Sequence, residues 1–266
     1  MNSILIILVL LFAVTPAFTA GPEYLVSSRD EFLDAIGSDR TIVIDTGEII
    51  LVENDSESAR FPSLDANPHV SCNQESDGVT VVVSDVSNMT IRGSGLLDSS
   101  LLTEPRYSFV IEFVDCSDLL ISNLIVGHTS GGYCENGVFG FSNCSDVVIS
   151  DCDLFGCGTV GLELRESSGF SFTNSIIRDC TYGIMVFINS HDLVFENSVF
   201  RDNGEYFGVE VRGCSGIEFA SCSFEHSVPY DRLLLFPPDY IDEIAFSDCT
   251  VRDYLCEEVK GITLLP

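Results

Sequence analysis

The sequence predicts a right-handed parallel β-helix, an all-β solenoid in which every coil contributes three short strands. The first observation is a repeat. Similar runs of a small residue, a polar turn and an alternating apolar strand begin at Cys144, Ser167 and Ser190, and a fourth begins at Cys214. The second observation is that apolar residues recur at every second position between Gly, Asn and Asp breaks, which is typical of strands. Because three short strands cannot bury their inward side chains alone, the copies are expected to stack.

One corner of the coil is marked by a column of turn-forming residues. Asp and Asn tolerate a left-handed backbone and form local hydrogen bonds, so a stacked column of them indicates a sharp turn. The column contains Asn123, Asp151, Asn174, Asn197, Ser221 and Asp248. The same register predicts one buried column of Val147, Phe170 and Leu193, one residue from each coil.

These residues resemble the pectate-lyase-like superfamily of parallel β-helix proteins. The resemblance covers about residues 24–254. The run GHTSGGYCENGVFGFSNCSDVVISDCDLFGCGT is similar to bacterial proteins described only as right-handed β-helix repeat-containing. The superfamily includes secreted polysaccharide lyases, hydrolases and epimerases, together with proteins of no assigned activity. The resemblance therefore implies the fold and leaves the activity open, since function on a shared fold depends on the site.

The chain start is predicted to be a signal peptide, residues 1–20, followed by one domain, residues 21–266. An apolar run of residues 4–14 precedes Ala-Phe-Thr-Ala, which has small residues where a signal peptidase cuts. The run is too short for a membrane span, although an uncleaved anchor stays open because no Lys or Arg lies near Met1. Export and a mature start at Gly21 are the expectation.

A short amphipathic helix over residues 24–37 is predicted to cover the first coil. Ser28 lies three residues before Glu31, as in a capping box, and Gly37 follows as the stop. Beyond it we expect seven or eight coils, interrupted by three loop excursions at residues 53–77, 129–137 and 228–240, where the alternating pattern is lost and Pro or Gly accumulates.

The charge balance excludes one class of partner. The chain has 41 acidic against 12 basic residues and a formal charge of −29, which opposes binding to the phosphates of nucleic acids. The same charge opposes polyuronates such as pectin unless Ca²⁺ bridges the two anions. Solubility of a stacked protein is the simpler explanation of the charge. No cofactor is predicted, Ca²⁺ remains open, and the oligomeric state does not follow from the sequence.

The 11 cysteines are predicted to be mostly unpaired core residues. Repeated coils put pairs of them at equivalent positions, where parallel strands hold Cβ atoms ~4.8 Å apart with parallel vectors, unlike disulfide geometry. No CxxC has a partner pair, so a zinc site is not predicted. If the compartment is oxidising, Cys72, Cys134 and Cys256 are the better disulfide candidates, because they lie outside the repeat. The equivalent pairs are Cys116 with Cys144, Cys157 with Cys180, and Cys222 with Cys249.

Outward positions of one strand suggest a site. Glu112, Glu163 and Glu210 are expected to face outward from equivalent strands, and Arg165 and Arg212 follow two residues after their glutamates. Such a strip can hold a sugar by charge-assisted hydrogen bonds, or it can be only a solvated face with weak ion pairs.

The excursion at residues 129–137 is expected to add to this site. It is expected to bring His128 and Tyr133 beside the strip, His128 as an acid or base and Tyr133 as a stacking ring. The weak catalytic candidates are therefore His128, Glu163 and Arg165. The residues expected to bind substrate are Tyr133, Arg165, Glu210 and Arg212.

Two function classes remain from the sequence. Lyases of the superfamily use calcium-binding aspartates with an arginine base, and polygalacturonases have paired aspartates and a Gly-His-Gly. Here the nearest match is Gly127-His128-Thr129, and the aspartate motifs are absent. We therefore expect a secreted module that interacts with a glycan or a surface without a standard catalytic site. The alternative is a polysaccharide lyase or an epimerase that acts on an acidic sugar.

Overall fold

The structure is a computed structural model that describes residues 21–45, 47–54, 67–95, 98–129, 136–156, 160–204, 208–226, 235–236, 244–256 and 258–265. The chain winds as a parallel solenoid with three sheets along its length. Helix α1 spans Arg29–Ala35. Sheet A contains, in spatial order, β1 (Glu23–Val26), β2 (Arg40–Ile44), β6 (Ser87–Gly93), β9 (Ser117–Ser122), β12 (Ser145–Ser150), β15 (Ser168–Thr173), β18 (His191–Glu196), β21 (Ser215–Ala220) and β23 (Ile244–Ser247).

The other two sheets complete each coil. Sheet B contains, from one end to the other, β3 (Gly47–Val52), β7 (Ser99–Thr103), β10 (Ile125–His128), β13 (Asp153–Phe155), β16 (Ile176–Arg178), β19 (Val199–Arg201), β22 (Ser223–Glu225), β24 (Cys249–Arg252) and β25 (Ile262–Leu265). Sheet C contains β4 (Val70–Gln74), β5 (Val79–Ser84), β8 (Ile111–Val114), β11 (Gly137–Ser142), β14 (Val160–Arg165), β17 (Gly183–Ile188) and β20 (Val209–Arg212).

The predicted register is confirmed. Val147 pairs with Phe170 and Phe170 with Leu193, and all three side chains are buried. Five successive regular coils run from β8 to β22, so the regular stack is somewhat shorter than the seven or eight coils expected. The flanking coils are less regular, because β4 runs antiparallel to β5.

The core is rich in stacked phenylalanines, which lie over one another because the repeat returns an inward residue to the same place in each coil. Phe195 and Phe219 stack with ring centroids 4.7 Å apart, and Phe113 and Phe141 stack at 5.1 Å. Offset and edge-to-face ring pairs add about 0.5–1.5 kcal/mol each beyond area burial. The stacked rings therefore add to the cohesion that backbone pairing gives between coils.

The corner column predicted from Asn and Asp is confirmed. All six of its residues have φ between 50° and 54°, the left-handed region that these residue types tolerate best. The turn is sharp because one residue reverses the handedness of the backbone between β12 and β13 and at each equivalent position.

Small residues fill the inner side of two corners, where their side chains form hydrogen bonds with backbone N–H and C=O groups. The Ser167 hydroxyl donates to the carbonyl of Arg165 at 2.8 Å and accepts from the N–H of Cys144 at 3.0 Å. The Cys144 thiol occupies the same place one coil earlier and donates to the carbonyl of Ser142 at 3.5 Å. Cysteine and serine therefore replace one another in these columns because either side chain serves as donor and acceptor.

The prediction that equivalent cysteines stack as unpaired core residues is confirmed for the following cysteines of the described ranges. Cys116, Cys144, Cys222 and Cys249 are buried free thiols, and the pairings of the adjoining strands put them at equivalent positions of adjacent coils. Cys72 is also a free thiol. Cys134 and Cys157 lie outside the described residues, so the predictions for them stand as made.

The first coil is covered by α1, as expected, but the helix is shorter than residues 24–37 because residues 23–26 form β1. The Ser28 side chain caps it by accepting from the N–H of Glu31. Phe32 and Leu33 are buried against the column. Asn67 then donates to the carbonyls of Leu33 and Ile36 at the helix end, where the Leu33 carbonyl also accepts from the N–H of Ile36.

The excursion at residues 53–77 is more ordered than expected in its last part, where Val70–Gln74 forms β4. Residues 55–66, 130–135 and most of 228–240 lie outside the described ranges, as do residues 1–20. Within the described ranges, no helix has the length and apolar character that a membrane crossing requires.

Candidate functional site

The outer face of sheet C carries the side chains that the sequence singled out. In register across the sheet, the outward positions are Glu112, Gly140, Glu163, Val186 and Glu210, and beside them run Val114, Ser142, Arg165, Ile188 and Arg212. We call the three-strand part formed by Glu163, Arg165, Val186, Ile188, Glu210 and Arg212 the outer strip. It is available because the strand period sends the alternate leucines, valines and phenylalanines into the core.

Two ion pairs bound the outer strip. Arg165 Nε donates to Glu163 Oε1 at 2.5 Å, and Arg212 Nη2 donates to Glu210 Oε1. The arginine side chains are 49% and 64% exposed. Exposed pairs of this kind contribute at most about 1 kcal/mol to stability. The carboxylate of Glu163 engages only Nε of Arg165, so the terminal nitrogens of that guanidinium are not used by this bond.

An apolar strand separates the two ion pairs. Val186 and Ile188 lie between them on β17, so each pair is one strand spacing, ~4.8 Å, from an aliphatic surface and the two pairs are ~9.6 Å apart. A pyranose ring has a C–H face and a rim of hydroxyl groups. The outer strip offers a matching arrangement at the half-buried Ile188, with charged hydrogen-bonding groups on both sides, whereas Val186 is buried.

The outer strip is electrically balanced within a strongly acidic molecule. It contains two glutamates and two arginines, whereas the whole chain has a formal charge of −29. Arginine side chains present several N–H donors in a planar fork, which suits carboxylate and hydroxyl oxygens. The local surface therefore does not oppose an anionic ligand in the way that the molecule as a whole does.

Below the outer strip, an aromatic ring fills the gap between two carboxylates. Gly140 lies between Glu112 and Glu163 in register, and a Cβ placed on it would be 3.2–3.3 Å from three ring atoms of Phe109. The ring thus occupies the space that a side chain at residue 140 would take. Any larger residue there would displace Phe109.

Glu112 is the titratable group most affected by this packing. Burial raises the pKa of Glu112, and the negative charges of Glu163 and Glu75 raise it further. Hydrogen bonds from Asn73 and Ser142 oppose the shift. The carboxyl group therefore keeps its proton to a higher pH than an exposed glutamate does.

The sequence did not single out the segment that carries Phe109. It is held on the outside of sheet C by the Asp77 carboxylate, which accepts from the N–H groups of Arg106 and Tyr107 at 2.7 and 3.1 Å. Thr80 Oγ1 accepts from the N–H of Phe109 at 3.1 Å. One signal was present: Gly140 replaces the outward glutamate of the equivalent strands, which indicates that something else occupies its place.

His128 has a different environment from the one expected. It ends β10 and is only 2% exposed. Its Nδ1 lies 3.1 Å from the carbonyl oxygen of Pro105 and its Nε2 lies 3.2 Å from that of Gly137. Burial lowers the pKa of His128. These contacts join the Phe109 segment to the start of β11 and leave the ring no solvent-facing nitrogen for proton transfer to a bound sugar.

The structure describes most, but not all, of the other residues predicted for the site. Glu163, Arg165, Glu210 and Arg212 come together on the outer strip. Tyr133 lies outside the described residues, so its predicted contact with the ligand stays a prediction. Among the residues that the structure describes, no group of three or more His, Cys, Asp or Glu side chains is arranged to hold a metal ion.

Comparison with solved structures shows the fold. A pectate lyase variant from Bacillus subtilis matches with a TM-score of 0.59 at 10% identity, covering 91% of this chain and 77% of that one. A pectate lyase from a Paenibacillus species matches with a TM-score of 0.60 at 8% identity, covering 92% and 76%. The pectin methylesterase of Aspergillus niger matches with a TM-score of 0.50 at 11% identity, covering 94% and 81%.

At these identities the likeness extends to the fold alone. No curated protein sequence matches. A family model described as a right-handed β-helix region matches residues 68–231, which is more than half of the chain. With its parallel three-sheet stack and its left-handed corner residues, the chain therefore belongs to the right-handed β-helix region family.

Proposed function

We propose that this protein is an exported glycan-binding module that holds a polysaccharide on the outer strip of sheet C. One observation carries the proposal: two carboxylate and guanidinium pairs, each with an exposed arginine, flank an aliphatic strand on the outer face of sheet C. A sugar over Ile188 would place its C–H face on the apolar surface and its hydroxyl groups within reach of Arg165 and Arg212.

The class of ligand is supported by two independent considerations. The acidic surface opposes nucleic acid. The structurally similar pectate lyases and pectin methylesterase are named for polysaccharide chemistry, which makes a polysaccharide the first class to try. Because the outer strip is locally neutral, neutral and acidic sugars both remain candidates, and the guanidinium groups favour a sugar with a carboxylate.

Binding without catalysis is favoured by the position of Phe109. A pair of carboxyl groups can cleave a glycosidic bond only if the sugar fits between them. The ring over Gly140 takes up that space between Glu112 and Glu163. His128 offers no free ring nitrogen toward the outer face.

A carbohydrate-active enzyme is the second candidate, and the environment of Glu112 is the observation that favours it. A carboxyl group with a raised pKa beside a second carboxylate is a common arrangement in acid and base catalysis. Such an enzyme would be a lyase or an epimerase acting on an acidic sugar, with Arg165 holding the sugar carboxylate. It would require Phe109 to move.

Export is part of the proposal and rests on residues 1–20. The mature chain would begin at Gly21. N-terminal sequencing of protein collected outside the producing cell tests this directly, and an intact Met1 on that protein would refute it.

A glycan-array screen of residues 21–266, with and without Ca²⁺, tests the binding proposal. We expect binding to a restricted set of polysaccharides, and a requirement for Ca²⁺ would indicate a bridged polyuronate. The glycans that bind are then incubated with the protein and analysed for new reducing ends, unsaturated products and epimerised sugars. Binding without product supports the module, product formation supports the enzyme, and no binding in either condition contradicts both.

A further inference from the structure

The outer face of sheet C contains a continuous row of residues without a carboxylate, which we call the acid-free column. It runs beside the outward glutamates, and its neighbouring members pair in register, so they follow one another at ~4.8 Å along the solenoid axis. It is uninterrupted over six strands in a chain with 41 acidic residues. Its members, in spatial order from β5 to β20, are Ser84, Val114, Ser142, Arg165, Ile188 and Arg212.

Carboxylates lie on both sides of the acid-free column. On one side are Glu112, Glu163 and Glu210. On the other side, in the turn between sheets C and A, Asp115 and Glu166 are exposed. An anionic chain that crossed the sheet along a strand would meet these carboxylates, whereas one that followed the column would avoid them. The path of an acidic ligand is therefore expected to be parallel to the solenoid axis.

The two arginines of the acid-free column are held apart from each other. Each forms an ion pair with the glutamate two residues before it on the same strand, which keeps its guanidinium over that strand. The strand between them contributes Ile188, whose side chain is aliphatic and half-buried. Arg165 and Arg212 are thus ~9.6 Å apart along the column, and positive charge recurs at every second strand.

We infer that the outer strip selects a linear glycan in which every second sugar is acidic, and that this glycan lies along the acid-free column. This selectivity rests on the glycan binding proposed above and adds the repeat and the direction of the ligand. A sugar in an extended glycan is about as long as one strand spacing, so two sugars span the interval between the arginines. Acidic sugars would place carboxylates on Arg165 and Arg212, and the neutral sugar between them would lie with its C–H face on Ile188.

A glycan with a carboxylate on every sugar fits this pattern less well. Its middle carboxylate would lie over Ile188, whose side chain has no hydrogen-bond donor, and an anion that leaves water without a partner is destabilising. It would also bring more negative charge toward a molecule with a formal charge of −29. A neutral glycan avoids both effects but forgoes the charge-assisted hydrogen bonds to the guanidinium groups. The alternating glycan is therefore expected to bind most tightly.

Calorimetric titration of residues 21–266 with hexasaccharide probes, in the absence of Ca²⁺, tests the inference. Two probes, hyaluronan and unsulfated chondroitin, alternate an acidic with a neutral sugar. A third is the hyaluronan probe with its carboxyl groups reduced to alcohols, and a fourth is a galacturonate oligomer with a carboxylate on every sugar. At least one alternating probe should bind about tenfold or more tightly than both the reduced and the galacturonate probe.

Three variants test whether the spacing of the arginines sets this preference. Arg165→Ala and Arg212→Ala should each remove most of the preference for the alternating probe over the reduced probe, because one guanidinium holds only one acidic sugar. Ile188→Arg places a donor between the two arginines and should shift the preference toward the galacturonate probe. Val194→Arg, at a half-buried outward position of sheet A, is the matched control and should keep the wild-type preference.

The outcomes separate this selectivity from glycan binding itself. Equal or tighter binding of the galacturonate or reduced probe, or a wild-type preference in Ile188→Arg, would overturn the alternating repeat and leave the glycan-binding module in place. If neither these probes nor any glycan of the array binds, the proposed function fails together with the selectivity.

Discussion

The outer faces of sheet A and sheet C are built from the same repeat but carry different chemistry. Along β9, β12, β15 and β18 the central outward positions of sheet A are Leu120, Val148, Ser171 and Val194, small or aliphatic side chains without a charge. In the coils of β15, β18 and β21, where the sheet A positions are Ser171, Val194 and Glu218, sheet C presents the two ion pairs of the outer strip. The difference shows that the repeat determines which positions point outward. It does not determine which residue types occupy those positions.

The largest effect on the free energy of unfolding is expected when a charge is placed at an inward position of sheet A instead of an outward one. Phe170 is buried between Phe141 and Phe195, whereas its neighbour Ser171 faces outward. Phe170→Asp places an unpaired charge in the core and should cost at least about 4 kcal/mol of the free energy of unfolding. Ser171→Asp should cost less than about 1 kcal/mol. Urea denaturation measures both, and similar losses for the two variants would mean that the register is wrong.

A smaller effect is expected at Gly140, an outward glycine of sheet C. Gly140→Val would force the Phe109 ring away, because the new Cβ would be 3.2 Å from it, and we expect a loss of about 1–3 kcal/mol. Val148→Ile, at an outward position of the following strand on sheet A, is the control and should be nearly neutral. If Gly140→Val has wild-type stability in thermal unfolding, the ring does not occupy the gap between the carboxylates.

The pH dependence of the free energy of unfolding tests the buried imidazole of His128, at the end of β10. The pKa of His128 in the folded protein is below its ordinary value of 6.5, so folding favours the neutral ring. The contribution of the neutral ring to the free energy of unfolding is complete above pH 6.5. It is lost as the pH falls from there toward the pKa of His128 in the folded protein.

His128→Gln should therefore show a smaller loss of stability than the wild type over that acidic range, in urea denaturation at a series of pH values. His191→Gln removes an exposed ring on β18 of sheet A and is the matched control. Identical pH profiles for His128→Gln and the wild type would show that the buried ring is not the group responsible.

The smallest effects are expected in the corners of the coil, at Cys144 between sheets C and A and at Cys152 between sheets A and B. Cys144→Ser and Cys152→Ser should each change the free energy of unfolding by less than about 1 kcal/mol, because Ser167 and Ser175 make the equivalent contacts in the next coil. The measurement is again urea denaturation, and a loss of several kcal/mol would mean that thiol and hydroxyl are not interchangeable there.

A chemical test of the thiols accompanies these variants. Alkylation of the unfolded protein without reductant should modify most of the 11 cysteines. A disulfide between Cys157 and Cys180, found by peptide mapping, would contradict the ladder geometry on which the prediction rests.

The sequence was most informative where one coil repeats the next. The left-handed corner at Asp151 and the inward position of Phe170 could be predicted because each has equivalents in neighbouring coils. The pairing of Glu163 with Arg165 followed from their spacing of two on an outward face. Repetition turns a weak local preference into a consistent pattern, and the fold could be read from it.

Elements without an equivalent were predicted poorly. Strand β4 is antiparallel and has no counterpart in other coils, so its residues looked like part of a loop. The burial of His128 depends on the carbonyls of Pro105 and Gly137, which are distant in sequence or lie beyond an inserted segment. Phe109 reaches the outer face through contacts with Asp77 and Thr80 on another coil, and no local pattern indicates them.

The most direct test of the central claim is a binding titration with paired arginine variants, using the glycan selected by the array screen. Arg165→Ala, Arg212→Ala and the double variant remove the two guanidinium groups of the outer strip, and Arg201→Ala removes an exposed guanidinium from sheet B as the control. Calorimetry should show affinity reduced about tenfold or more by each outer-strip variant, with the melting temperature within a few degrees of the wild type. Arg201→Ala should bind like the wild type. Unchanged affinity in the double variant, or an equal loss in Arg201→Ala, would contradict the assignment of the binding site to the outer face of sheet C.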